Sequence, residues 1–308
     1  MITTLYTHPA CLRHLPGPGH PESPARLQAV LEALGSNRFA ALDRAEPPRV
    51  TRAQLARVHD DALIDLVFAS APQAGYVRFD ADTAMSPDSL EAAQRAAGAV
   101  CAAVDALIDG KATRAFCAVR PPGHHATRDT AMGFCLFNNV AVGAAHALAR
   151  GIKRVAIIDF DVHHGNGTQD IFWREPRVLY ASTHQSPLYP GTGTRAETGA
   201  GNIVNAPLPP GAGSAEFHAA FIHTVLPALH EFEPQLLLIS AGFDAHRLDP
   251  LADLNLNADD YAWATRELVD IAKKYASGRI VSSLEGGYSL TALRQSTAAH
   301  VGALLETG

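Results

Sequence analysis

The 308-residue sequence predicts an α/β protein, a single domain over residues 1–308 with a mostly parallel central β-sheet covered by helices on both faces. Three observations point there. Short apolar runs rich in β-branched residues recur along the chain, helical patterns lie between them, and no linker, internal repeat or low-complexity tract divides the sequence. Strands alternating with helices imply crossover units, and such sheets place function at the carboxyl ends of their strands.

Residues 2–7 read as a weak first strand. Over residues 87–108, apolar side chains recur at Leu90, Ala93, Ala97, Val100, Val104 and Leu107, so a helix is expected, with Ser86 as N-cap and Pro87 in the first turn. Residues 115–119, 154–160 and 178–182 are apolar runs of strand length. Residues 215–232 have helical period, although Pro227 should kink or split the helix. Strands follow at 235–240 and 279–284. Between them Tyr261, Ala264, Leu268, Ile271 and Tyr275 mark a helix opened by Asn257, Asp259 and Asp260 and closed by Lys273, Lys274 and Gly278.

Composition narrows the partners. Hydrophobic residues make up 47% and charged residues 18%, which supports a large core and excludes a disordered chain. Lys and Arg number 25 against 31 Asp and Glu, so no nucleic acid is expected as a partner: the net charge of −6 offers no positive field to phosphates. Residues 1–7 carry no secretory pattern, and the longest apolar stretches fall far short of the roughly 18–20 residues that a membrane helix needs. A soluble, cytoplasmic protein with no membrane partner is expected, and a homo-oligomer is left open. Cys11, Cys101, Cys117 and Cys135 include no CxxC pair, so they read as reduced core residues. Histidine is the outlier, with 15 residues.

Four polar, glycine-rich segments sit at the ends of expected strands: Arg120-Pro-Pro-Gly-His-His125, Asp159-Phe-Asp-Val-His-His-Gly-Asn166, Ala241-Gly-Phe-Asp244 and Glu285-Gly-Gly-Tyr288. The period of two projects Asp161 and His163 to one side with Asp159 behind them, half of a metal site. Asp244 is the best candidate for a third ligand. Two carboxylates and one imidazole suit a catalytic zinc with an open fourth position. Read alone, any one of these segments could simply cap a helix. The adjacent His124 and His125 are suited to handling protons, because imidazole titrates near neutral pH.

Together the four segments resemble the histone deacetylase superfamily, and the run from His163 to Gln169 is similar to its class II members and their bacterial deacetylase-like relatives. The resemblance runs from about His20 to the final helix. It implies the arginase-deacetylase fold, with a sheet of about eight strands, and a zinc-dependent amidohydrolase that removes acetyl or other acyl groups from lysine. It further implies one zinc on Asp161, His163 and Asp244, and His124 and His125 as proton-transfer residues with Asp159 behind His124 and Asn166 behind His164 or His125. Tyr288, on the Gly286 turn, would donate to the substrate carbonyl. Phe134, beside Gly133, and Tyr189 would wall an acyl-lysine tunnel with Leu251 at its rim. One or two potassium ions would be structural, one of them held by Asp159, Asp161, the His163 carbonyl and the Ser182 region. The substrate would be an acylated lysine peptide or protein, or an acetylated amine.

Three other readings compete. A binuclear arginase-type enzyme would need a second set of Asp and His ligands that the sequence lacks. A binding module would have no use for Tyr288 and two tandem histidines. An acetylpolyamine amidohydrolase would use the same chemistry with an acidic group at the tunnel rim, where Leu251 offers none.

Overall fold

In the computed structural model, which describes residues 2–306, the apolar runs lie side by side as parallel strands. In chain order the strands are β1 (Thr3–Tyr6), β2 (Asp43–Ala45), β3 (Val77–Arg78), β4 (Ala84–Met85), β5 (Arg114–Cys117), β6 (Val155–Asp159), β7 (Val178–Gln185), β8 (Ile203–Leu208), β9 (Leu236–Ala241) and β10 (Ile280–Leu284). Among the described residues, eight of them form one sheet in the order β2-β1-β5-β10-β9-β6-β7-β8, and every neighbouring pair is parallel. β3 and β4 form a separate antiparallel ribbon.

Every residue of β5, β6, β9 and β10 is buried. Helices cover both faces of such a sheet, which is why its central strands read as mostly apolar runs rather than alternating ones, with Arg114, Asp159, Ser240, Ser282 and Ser283 as the polar exceptions. The two edge-side strands β2 and β8 escape the sequence pattern. β2 is Asp-Arg-Ala and largely exposed, and β8 contains Asn205 and Pro207, which an edge tolerates because Pro has no N–H to give.

One helix starts later than expected, and a second breaks near its proline as expected. The first long one runs Ser89–Ile108 with Asp88 as its cap, starting later than Pro87. The Ser86 hydroxyl is engaged elsewhere, accepting the Leu15 N–H at 3.0 Å, while Ser89 Oγ accepts the Ser86 N–H at 2.8 Å. The 215–232 segment is split by Pro227 into Ser214–Ala220, a π turn over Phe221–Val225, and Leu226–Phe232. The helix Ala258–Tyr275 follows its sequence signals: Asn257 and Asp260 form a reciprocal cap, and Lys273 and Lys274 occupy the last turn.

All four cysteines are buried and free. Among the described residues, no helix is long and apolar enough to cross a membrane. What positions the site is the strand order: β5, β10, β9 and β6 are consecutive neighbours at the centre of the sheet, so the four polar segments that follow them leave from one carboxyl rim.

Candidate active site

β6 ends at Asp159, and the chain then passes through Asp161 and His163 before the helix Asn166–Phe172 begins. β9 delivers Asp244 three residues beyond its end. Ligand atoms of Asp161, His163 and Asp244 all lie within 4.8 Å of one another, and the three residues are buried. The cluster is held from behind. Gly286 N–H donates to Asp161 Oδ2 at 2.8 Å, His163 N–H to Asp161 Oδ1 at 2.9 Å, and Val162 N–H to Asp244 Oδ1 at 2.9 Å. Asp244 Oδ2 lies 3.2 Å from His163 Nδ1 but accepts no hydrogen bond. A buried carboxylate oxygen without a donor, beside a second carboxylate and an imidazole, is the donor set of a divalent cation. Gly242 and Gly286 make the cluster possible, because a Cβ on Gly242 would collide with the Asp161 carboxylate and one on Gly286 with those of Asp244 and Asp161.

The tandem histidines leave β5 through Arg120-Pro121-Pro122-Gly123, and their rings lie 4.0 Å apart between centroids. Glu285 fixes this turn by accepting the N–H groups of Gly123 at 2.6 Å and His124 at 3.2 Å. His124 Nδ1 faces Asp159 Oδ2 at 3.0 Å. Burial opposes a charge on His124, but Asp159 and Asp161 outweigh it and hold the ring up at about 10. His125 differs: burial, with the charges of His124 and His163, pushes it well below the usual histidine value. Its Nδ1 meets Asn166 Oδ1 at 2.8 Å.

Asn166 therefore serves His125, not His164. His164 is turned away to Thr192 Oγ1 at 2.7 Å and Gln169 Oε1 at 3.1 Å. Ser182 is paired in register with Asp159, and its hydroxyl faces His184 Nδ1 at 2.9 Å.

Above the cluster opens a cavity of about 230 Å³ lined by Asp82, His125, Gly133, Phe134, His163, Leu188, Tyr189, Leu251 and Tyr288. Tyr189 stands edge-on to His125 with centroids 5.1 Å apart, and Phe134 stands edge-on to Tyr288 at 6.0 Å. Gly133, at φ 57°, leaves room for the His125 ring, which any Cβ there would strike. Burial first, then Asp244 and Asp161, push the Tyr288 hydroxyl well above its usual value, so it remains a donor. The Arg26 guanidinium lies 4.8 Å from its ring centroid.

Asp82 is the acidic member of this wall that sequence reasoning missed. It comes from the turn between β3 and β4, where Asp80 Oδ1 accepts the N–H groups of Asp82 at 2.9 Å and Thr83 at 2.6 Å. Thr83 Oγ1 in turn accepts the Phe134 N–H at 3.1 Å. No local pattern marks Asp82, since only the folded chain brings that turn to the cavity. Glu285 was visible as part of a motif, but its grip on the histidine turn was not.

A histone deacetylase domain model matches residues 20–304, a span that contains every residue of the cluster and the cavity wall. The chain belongs to the histone deacetylase family. It is 39% identical to a histone deacetylase-like amidohydrolase of Pseudomonas aeruginosa, covering 93% of this chain and 82% of the relative. It is 38% identical to a probable deacetylase of Archaeoglobus fulgidus, with coverage of 94% and 82%. Its fold superposes on the crystal structure of the HDA15 HD domain with a TM-score of 0.94 at 37% identity, over 99% of this chain and 89% of that one. For a histone deacetylase family member, the span opens at His20, whose ring meets Phe134 edge-on at 4.6 Å.

Proposed function

We propose that the protein is a zinc-dependent amidohydrolase that removes acetyl or other acyl groups from the ε-amine of lysine. The observation that carries this reading is the buried Asp161, His163 and Asp244 cluster at the floor of a cavity whose wall holds both His125 and Tyr288. When bound by the cluster, the zinc ion supplies Lewis acidity toward the amide carbonyl and the attacking water.

The remaining chemistry belongs to the chain. His125, kept neutral by burial and by the nearby positive charges, is the base that takes a proton from the attacking water. His124, kept protonated beside Asp159, supplies positive charge next to the reacting centre. An imidazolium formed at this tandem pair returns a proton to the departing amine. Tyr288 donates its hydroxyl to the carbonyl oxygen as negative charge develops there. Phe134 and Tyr189 flank the acyl-amine stem, with Leu251 at the rim. Asp159, Asp161, the His163 carbonyl and Ser182 form the proposed potassium position, a set of buried oxygens at adjacent strand ends.

Asp82 favours a second reading. A carboxylate on the cavity wall suits an acetylated polyamine, whose further ammonium group it would attract, and so fills the role that Leu251 leaves vacant. The deciding experiment compares acetyl-lysine peptides, longer acyl-lysines, acetylputrescine and acetylspermidine on the zinc-loaded protein. Higher kcat/KM on acetyl-lysine supports the first reading, and preference for acetylpolyamines replaces it with the second. No hydrolysis of any of them removes both.

A further inference from the structure

Asp249 lies outside the ligand cluster, yet its carboxylate joins two parts of the cavity. Its Oδ2 accepts the N–H groups of Tyr288 at 2.7 Å and Ser289 at 3.2 Å, while its Oδ1 accepts the N–H of Leu251 at 3.1 Å. The residue is 8% exposed, so these bonds are largely shielded from water. Tyr288 needs such a tether. It follows Gly286 and Gly287, and Gly287 has φ 122°, so the backbone before it has little intrinsic preference for one path. On the other side Arg26 holds the same turn, donating to the Gly287 carbonyl at 2.5 Å and the Glu285 carbonyl at 2.5 Å.

We propose that Asp249 is a positioning residue that sets Tyr288 over the ligand cluster and couples it to the substrate rim at Leu251. One rigid carboxylate carries both contacts, so a substrate seated against Leu251 fixes the same group that fixes Tyr288. A carboxylate that merely capped the helix Leu290–Leu305 would need only the Ser289 contact. Here the cap of that helix is the Ser289 hydroxyl itself, which accepts the Ala292 N–H. The inference rests on the role proposed for Tyr288.

The test is steady-state kinetics on an acetyl-lysine peptide with Asp249→Ala and Asp249→Asn, each in the wild-type and Tyr288→Phe backgrounds. Asp249→Ala is expected to lower kcat roughly 10- to 100-fold in the wild-type background, as loss of catalytic alignment does. In the Tyr288→Phe background the same change is expected to cost less than about threefold, because the hydroxyl it positions is already gone. Asparagine has one acceptor oxygen. Turned to the two donors of Tyr288 and Ser289, it presents its NH₂ to the Leu251 N–H. Asp249→Asn is therefore expected to raise KM several-fold while kcat stays within about threefold. It also serves where the alanine variant does not fold. Equal losses of kcat in both backgrounds, with Tyr288→Phe itself crippled, would overturn the coupling alone, as would an Asp249→Asn protein that loses kcat at unchanged KM. Full turnover by Tyr288→Phe would overturn the role of Tyr288 and this coupling with it.

Discussion

His125 Nδ1 faces the Asn166 side-chain oxygen at 2.8 Å, whereas the adjacent His124 Nδ1 faces the Asp159 carboxylate at 3.0 Å. A neutral amide orients a ring and stabilises its cation only slightly, whereas a carboxylate orients it and stabilises its cation strongly. Two neighbouring imidazoles are driven apart in basicity: burial and the charges of His124 and His163 push His125 down, while Asp159 and Asp161 overcome burial and hold His124 up. His125→Ala should therefore lose more kcat than His124→Ala, with both variants still binding metal. Equal losses would show that the division of labour is wrong.

Tyr288→Phe should lower kcat by roughly 10² to 10³ and change KM much less, as removal of one oxyanion donor does. The ring and its contacts with Phe134 and Arg26 remain, so the thermal midpoint should barely move. Near-normal kcat in a folded, metal-loaded variant would take Tyr288 out of the mechanism.

Asp244→Ala should abolish tight zinc retention and activity together, because three ligands are the minimum for a catalytic site of this kind. Chelation of the wild-type protein should remove activity, and added zinc should restore it. Full zinc occupancy in the alanine variant, measured by elemental analysis, would refute the ligand set.

Asp82→Asn removes the negative charge from the cavity wall and keeps its shape. It should weaken kcat/KM for acetylspermidine and acetylputrescine more than for an acetyl-lysine peptide of neutral sequence, and the difference should shrink at high salt. Equal effects on both substrate classes would deny Asp82 a part in recognising cations.

Two buried histidines outside the ligand cluster set an acid limit on stability. Burial pushes His59 down to about 4 and His300 down to about 3, from 6.5. Below 6.5 the unfolded chain binds protons that the folded state refuses. Their contribution is therefore complete above pH 6.5 and is lost as pH falls toward 4 and 3. His300 bonds Thr265 Oγ1 at 2.6 Å and Ser282 Oγ at 2.8 Å. His300→Gln should be less stable than wild type near neutral pH, with the gap narrowing in denaturant melts at about pH 5. A constant gap would show that the ring does not titrate on unfolding.

The sequence by itself determined the sheet and its rim. β5, β6, β9 and β10 are legible because a strand buried on both faces is mostly apolar rather than alternating, so short runs such as those at 155–158 and 236–239 carry the signal. The motif after β6 pointed to Asp161 and His163 and the one after β9 to Asp244, and the three do cluster, although β6 ends at Asp159 and the bends after it, not the strand period, bring Asp161 and His163 together. What only the tertiary structure decided involves partners far apart in the chain. Asn166 could have served either His164 or His125, and the packing of the helix Asn166–Phe172 chose His125 across 41 residues. Asp82 reaches the cavity from a ribbon turn, and Asp249 links the rim to Tyr288 across 39 residues. β2 and β8 belong to the same class, being strands only because a neighbour offers its open edge. Such relationships leave no periodic trace, because they depend on where loops come to rest once the core has closed, and that is settled by the whole chain rather than by any window of it.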